Sequence, residues 1–203
     1  MATLNKVYLE ENIYYIENFI TDEEIDEILG WDFQWTSKNR HDPHENVLTS
    51  SIPAKEANRF SELVKDKIAL LLNNDEQKFR QRDMLTKYMP KDHPCDEKCG
   101  CKGNALGYHY ENHPQCDYES RWITLGVVLY FNDDYEEGEL VFEHKPISIK
   151  PKKGSLMVFP ASEEYSHAVK EVYGRERIVY AAFVYGNQYW DILRRSGLVS
   201  RDI

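Results

Sequence analysis

From Trp122 to Tyr185 the chain is cut into six short apolar stretches: Trp122 to Phe131, Glu139 to Glu143, Ile147 to Lys150, Ser155 to Phe159, His167 to Val172 and Arg177 to Tyr185. Proline, glycine or turn chemistry such as Asn132-Asp133-Asp134-Tyr135 separates them. Their length suits strands better than helices, and their β-branched and aromatic content fits a pleated surface. Strands this short and this evenly spaced bury their faces only by stacking as a sandwich or closing as a barrel. The stretch around Val127 to Phe131 is continuously apolar, as expected of a strand covered on both faces.

Upstream the pattern differs. Lys6 to Phe19 mixes Val, Ile, Tyr and Phe with acids and reads as one or two short strands. Thr21 and Glu24 have capping-box spacing, which predicts a short helix running to about Leu29 and ended by Gly30. Trp31 to Ile52 is polar and reads as irregular. Between Ala54 and Leu72 the apolar residues Phe60, Leu63, Val64, Ile68, Leu71 and Leu72 fall at helical spacing with one buried face. Arg82 to Met89 alternates like a strand, and a cysteine-bearing loop follows from Pro90 to about Leu106. Helices first and strands after predict a mainly β chain with N-terminal helices, an α+β sandwich supported by helices. One domain over 1–203 is expected, with helical support over about 1–80, a β core over about 82–190 and the loop as an insertion over about 90–106.

With 203 residues, 41% hydrophobic, such a chain can bury a core of its own. Its charge, 25 − 35 = −10, argues against a nucleic-acid partner, which requires a basic face. No apolar run reaches membrane-spanning length, so no membrane partner is expected. Lys6, Glu10 and Glu11 interrupt the N-terminus, which therefore does not read as an export signal; a cytoplasmic protein is the expectation. Cys95, Cys99 and Cys101 crowd into seven residues and Cys116 follows fifteen later. In an intracellular chain this cluster is either a structural zinc clip, with His93 as a further donor, or four reduced thiols.

The chemistry-bearing residues lie around the strands. His109 is followed at i+2 by Glu111, and on a strand those side chains share a face. His167 stands 58 residues on (167 − 109), at the start of a strand-sized stretch. Two histidines and one carboxylate on one face of a metal leave its other positions open. Solvated strand ends would account for the same residues. Arg177 lies ten residues beyond His167, and a turn at Gly174 would return its strand beside the His167 strand. Its guanidinium could then serve as a fork for a carboxylate in the same cavity. Lys170 and Arg175 are further cations, and all three could equally be solvated hairpin charges. Arg121 has a pocket-facing and a solvated reading, and Trp31, Trp35, Trp122 and Trp190 receive no role.

Taken in order, these motifs resemble the 2-oxoglutarate- and Fe(II)-dependent dioxygenases, in their prolyl 4-hydroxylase-like branch. The matching strings are His109-Tyr110-Glu111, Tyr130-Phe131-Asn132-Asp133, Glu137-Gly138-Glu139-Leu140 and Pro151-Lys152-Lys153-Gly154, then His167 and Arg177. The resemblance covers about Arg82 to Tyr185 and implies a double-stranded β-helix, a relative of the jelly roll and the cupins. It implies that His109, Glu111 and His167 bind Fe(II). Arg177 would hold the distal carboxylate of 2-oxoglutarate, with Tyr130 hydrogen-bonding it and Tyr88 lining the pocket. The activity implied is hydroxylation of an unactivated C–H bond with O2, coupled to decarboxylation of 2-oxoglutarate to succinate, with ascorbate as a compatible accessory reductant. A prolyl residue of a peptide or protein is the first substrate expected, a small molecule the second. Three departures stand out: Glu111 for the usual aspartate, Glu137 for the first glycine of a usual pair, and Gly126 where Ser or Thr is usual. The competing expectation is a jelly-roll binding module with a decayed metal site. Neither reading fixes an oligomeric state.

Overall fold

The computed structural model describes residues 5–10, 12–37, 47–72, 79–91, 104–112 and 119–186. Strands β1 (Asn5–Glu10), β2 (Ile13–Glu17), β3 (Thr36–Ser37), β4 (Val47–Ser51), β5 (Phe79–Tyr88), β7 (Ile123–Tyr130), β11 (Leu156–Pro160) and β14 (Arg177–Tyr185) form one antiparallel sheet. Its order is β1-β2-β11-β7-β14-β5-β4-β3. A second sheet joins β6 (Asn104–His109), β9 (Leu140–Phe142), β10 (Ser148–Ile149) and β12 (His167–Lys170) in the order β10-β9-β12-β6. Strands β8 (Glu136–Glu137) and β13 (Val172–Tyr173) make a small ribbon. The two larger sheets face each other as a jelly-roll-like double-stranded β-helix, the class expected from the strand pattern and the resemblance.

Period-2 alternation assigns each face of the large sheet a different task. On β7 and β14 the residues Val127, Leu129, Ile178, Tyr180, Ala182 and Val184 join a core under the helices. Their neighbours Val128, Tyr130 and Val179 join a second core between the sheets, with Leu140, Phe142 and Val169 of the small sheet. Both faces are thereby covered, which is why the β7 stretch is apolar without a break.

The helices supply the outer layer. Helix α1 (Asp22–Leu29) starts at the expected capping box: Glu24 N–H donates to Thr21 Oγ1 and Thr21 N–H to the Glu24 carboxylate, with Ile25 and Ile28 buried. The second helical stretch begins as a 3₁₀ turn (Ala54–Glu56), passes through α2 (Ala57–Phe60) and a π segment (Ser61–Lys65), and ends as α3 (Asp66–Leu71). Phe60, Leu63, Val64 and Ile68 form its buried face, and Phe60 meets Tyr180 of β14 edge-on at 5.0 Å. Among the described residues no helix is long and apolar enough to cross a membrane.

Two expectations require correction. The polar segment after Trp31 is not wholly irregular, because β4 pairs with β5 along Val47–Ser51 and carries β3 at its edge. Nor does the Arg177 strand return beside the His167 strand. Gly174 turns the chain at φ 73°, but β13 is drawn to β8, and β14 crosses to the opposite sheet between β5 and β7. Arg177 thus faces His167 across the sandwich interior instead of along one sheet.

Candidate active site

Strands β6 and β12 are neighbours in the small sheet, with His109 opposite His167 and His167 opposite Phe142. Opposed residues of antiparallel strands share a face, so two histidines 58 positions apart meet with ring centroids 4.4 Å apart. Glu111 lies just past the end of β6. Its N–H and that of Asn112 both donate to the Ala161 carbonyl, at 3.2 and 2.9 Å. Its carboxylate stands 3.6 Å from His109 Nε2 and 3.9 Å from His167 Nε2. One donor atom from each of the three residues fits within 4.8 Å.

Each imidazole is oriented from behind. His109 Nδ1 is 2.8 Å from the Gly107 carbonyl and His167 Nδ1 is 3.1 Å from that of Tyr165. A carbonyl only accepts, so Nδ1 carries the proton and Nε2 offers its lone pair to the cavity. Burial, reinforced by His109 and only partly opposed by Glu111, pushes the His167 pKa down to about 4. His167 is therefore neutral, as a metal ligand must be, throughout the physiological range. The Phe159 ring packs on it at 4.6 Å, and Phe142 closes the cluster at 5.8 Å. Gly126 is opposite Phe159 in the sheet, and a Cβ there would lie 2.7 Å from that ring. The glycine makes room for the aromatic support of His167.

On the other wall, Arg177 is 1% exposed. Its guanidinium sits 5.0 Å from the ring centres of both Tyr88 and Tyr130. Among the described residues it makes no ion pair, and neither its Nε nor the Tyr130 hydroxyl finds a hydrogen-bond partner. Burial opposes the guanidinium charge, but the phenols of Tyr130, Tyr135 and Tyr88 outweigh it and hold the pKa above its usual value. Burial pushes the Tyr130 phenol up despite Arg177, so the hydroxyl stays a donor. A buried cation beside an unused O–H donor is a cradle suited to an anion. The cradle and the histidine–glutamate group open on one cavity of about 190 Å³, with Thr86, Val128, Leu140 and Phe183 among its walls.

The donor set and the cradle fit Fe(II) and a dicarboxylate. Two nitrogen donors and one oxygen donor lie within 4.8 Å of one another, and a fork for a second carboxylate lies in the same cavity. The Glu111 carboxylate, one methylene longer than the usual aspartate's, converges with both imidazoles. Tyr88 lines the cavity, whereas Tyr130 is wholly buried against Arg177. Lys170 is engaged with Glu139 and Arg175 with Asp134 at the surface, leaving Arg177 as the cavity cation. Arg121 is exposed and stacks on Trp122, 4.8 Å from its ring. Trp31 and Trp35 pack against the helix-side core. Glu137 adopts φ 53°, the left-handed conformation that the usual glycine would reach without strain. Cys95, Cys99, Cys101, Cys116, His93 and Trp190 lie outside the described residues. Thr86 on the cavity wall, Tyr135 beside Arg177 and Asn112 beside Glu111 were not singled out by the sequence reading. Thr86 was findable, since it precedes Tyr88 by two on the same strand face.

Residues 98–185 match the sequence family described as the 2OG-Fe(II) oxygenase superfamily. No curated protein matches the chain. Among solved structures, a viral collagen prolyl hydroxylase from Paramecium Bursaria Chlorella virus-1, in a 2OG complex, is similar at 17% identity and TM-score 0.57, covering 86% of this chain and 96% of that one. A prolyl hydroxylase from Trichoplax adhaerens, in complex with a hypoxia inducible factor oxygen degradation domain peptide fragment, is similar at 15% identity and TM-score 0.60, over 89% and 86%. A 2OG-Fe(II) oxygenase family oxidoreductase from Burkholderia pseudomallei follows at 12% and 0.59, over 87% and 86%. At these identities the structures speak for the fold, and the family match speaks for the matched segment. The matched segment carries His109, Glu111, His167 and Arg177, and the fold is the one these solved structures share.

Proposed function

We propose that this chain is a 2-oxoglutarate/Fe(II)-dependent dioxygenase of the prolyl hydroxylase-like branch, which hydroxylates an unactivated C–H bond of a peptide or protein, with a prolyl residue as the first choice of target. The observation that carries the reading is the convergence, in one cavity, of the His109–Glu111–His167 donors with the buried Arg177 guanidinium. The family match and the prolyl hydroxylase folds among its neighbours support the choice of target.

His109 and His167 would hold Fe(II) through Nε2, and Glu111 through a carboxylate oxygen. Arg177 would take the distal carboxylate of 2-oxoglutarate as a charge-assisted fork, with the Tyr130 hydroxyl as a further donor. Bound in this way, Fe(II) with 2-oxoglutarate supplies the O2-dependent oxidation and the release of succinate and CO2. The apolar walls of Val128, Leu140 and Phe183 keep bulk water from the cosubstrate, and Tyr88 narrows the space beside Arg177. No side chain of the site is required to act as general base.

The test is incubation of the iron-loaded protein with 2-oxoglutarate and proline-containing peptides, read by mass spectrometry of the peptides and by succinate release. The reading predicts one added oxygen on a prolyl residue, matched by succinate and lost in His167→Ala. Oxidation confined to free amino acids or other small molecules would overturn the choice of a peptide target.

A further inference from the structure

The glutamate at position 111 has a structural reason. Its two histidine partners belong to the small sheet, but the backbone of Glu111 is fastened to the large one. Its N–H and that of Asn112 share the Ala161 carbonyl. Ala161 follows β11 directly and donates its own N–H to Thr124 of β7 at 3.0 Å. The Asn112 side chain adds a third tie, donating from Nδ2 to the Ile123 carbonyl at 2.9 Å. The ligand backbone is therefore pinned to the ends of β7 and β11, in the large sheet, while the imidazoles belong to the small one.

From that anchorage the carboxylate reaches to 3.6 and 3.9 Å from the two Nε2 atoms. Two metal–ligand bonds of about 2.1 Å span at most about 4.2 Å. The present gaps lie just inside that limit. Removing one methylene draws the carboxylate back by up to about 1.5 Å, to roughly 5 Å from both nitrogens, beyond what one ion bridges.

Resting on the metal site proposed above, we propose that Asn112 is a positioning residue that pins the Glu111 backbone to the large sheet, and that this anchorage makes glutamate the required ligand length. Aspartate, the usual residue, is too short here. Restoring it harms the site, and loosening the anchorage relieves the harm.

The experiment is a metal-binding cycle, independent of turnover. Dissociation constants for Co(II) are measured anaerobically by calorimetry and by the cobalt absorption spectrum, for the parent, Glu111→Asp, Asn112→Ala and the double variant. Thermal melts of the metal-free proteins establish that each is folded. Expected are a loss of about tenfold or more for Glu111→Asp and a loss of about tenfold for Asn112→Ala. The double variant is expected to bind as well as Glu111→Asp alone or better, because a released backbone can bring the short arm forward. A purely structural role for Asn112 would instead make the two losses multiply. Glu111→Asp binding like the parent, or multiplied losses in the double variant, overturns the inference and leaves the oxygenase reading intact. A folded parent that binds no metal overturns both.

Discussion

Arg177 is the residue at which binding and stability should part company. Replacing it with methionine keeps most of the side-chain length and removes the charge. In the cosubstrate-free protein the guanidinium is 1% exposed, has an unpartnered Nε and makes no ion pair among the described residues. Against its desolvation, several kcal/mol for a buried ion, stand two ring contacts at 5.0 Å, worth up to about 2 kcal/mol each when dry. The apolar substitute loses the ring contacts together with the desolvation penalty. With the surrounding phenols also favouring the charge, Arg177→Met is expected to leave the cosubstrate-free protein within about 2 kcal/mol of the parent. Binding should respond more strongly. Removing the cation from a buried carboxylate pair costs about 2–5 kcal/mol, a weakening of roughly 30-fold to several thousandfold. The assay is a thermal melt with metal, without and with 2-oxoglutarate. At a hundred times its dissociation constant the cosubstrate adds about 2.7 kcal/mol to the parent, or roughly 5–11 °C for a chain of this size. The variant should lose that increment. A variant destabilised by more than about 2 kcal/mol without 2-oxoglutarate would mean that the tyrosines already satisfy the guanidinium. An undiminished 2-oxoglutarate increment would refute the cradle itself.

Three further outcomes are expected. Gly126→Ala places a methyl 2.7 Å from a Phe159 ring that Phe142 and His167 hem in, so overpacking should cost about 1–3 kcal/mol in denaturant melts and weaken metal binding; an unchanged protein would show the ring to be free. His167, with its pKa lowered to about 4 in the folded protein, binds fewer protons than in the unfolded chain between pH 6.5 and 4, so metal-free stability should fall by up to about 3 kcal/mol as pH drops through that window. The difference between parent and His167→Gln isolates this effect, and a difference independent of pH would contradict it. Thr21→Ala removes the cap of α1 and should cost about 1 kcal/mol in urea unfolding; no change would mean that packing of Ile25 and Ile28 alone holds the helix.

Much of this architecture was legible before any coordinates. The six stretches after Trp122 lie at strands because apolar runs bounded by turn residues have few other ways to bury themselves. Thr21 and Glu24 announced α1 because capping is local chemistry. Strands β3 and β4 escaped notice because a polar edge such as Thr49-Ser50-Ser51 owes its pairing to β5 and not to its own pattern. The π segment at Ser61–Lys65 leaves the helical spacing almost unchanged and so has no signature. At the site, His109, His167 and Arg177 could be named from order and spacing. The position of Arg177 on the facing sheet could not, because it depends on β13 pairing with β8, a contact of two residues on each side. The Glu111 anchorage was equally hidden, being made to the carbonyls of Ile123 and the distant Ala161, which no local pattern announces.

The most direct test of the central claim is anaerobic titration of the metal-free protein with Fe(II) and then 2-oxoglutarate, followed through the visible metal-to-ligand charge-transfer band. The account predicts a band in the parent, none in His167→Ala, and a band in Arg177→Met only at much higher 2-oxoglutarate. A folded, iron-loaded parent that develops no band would contradict it.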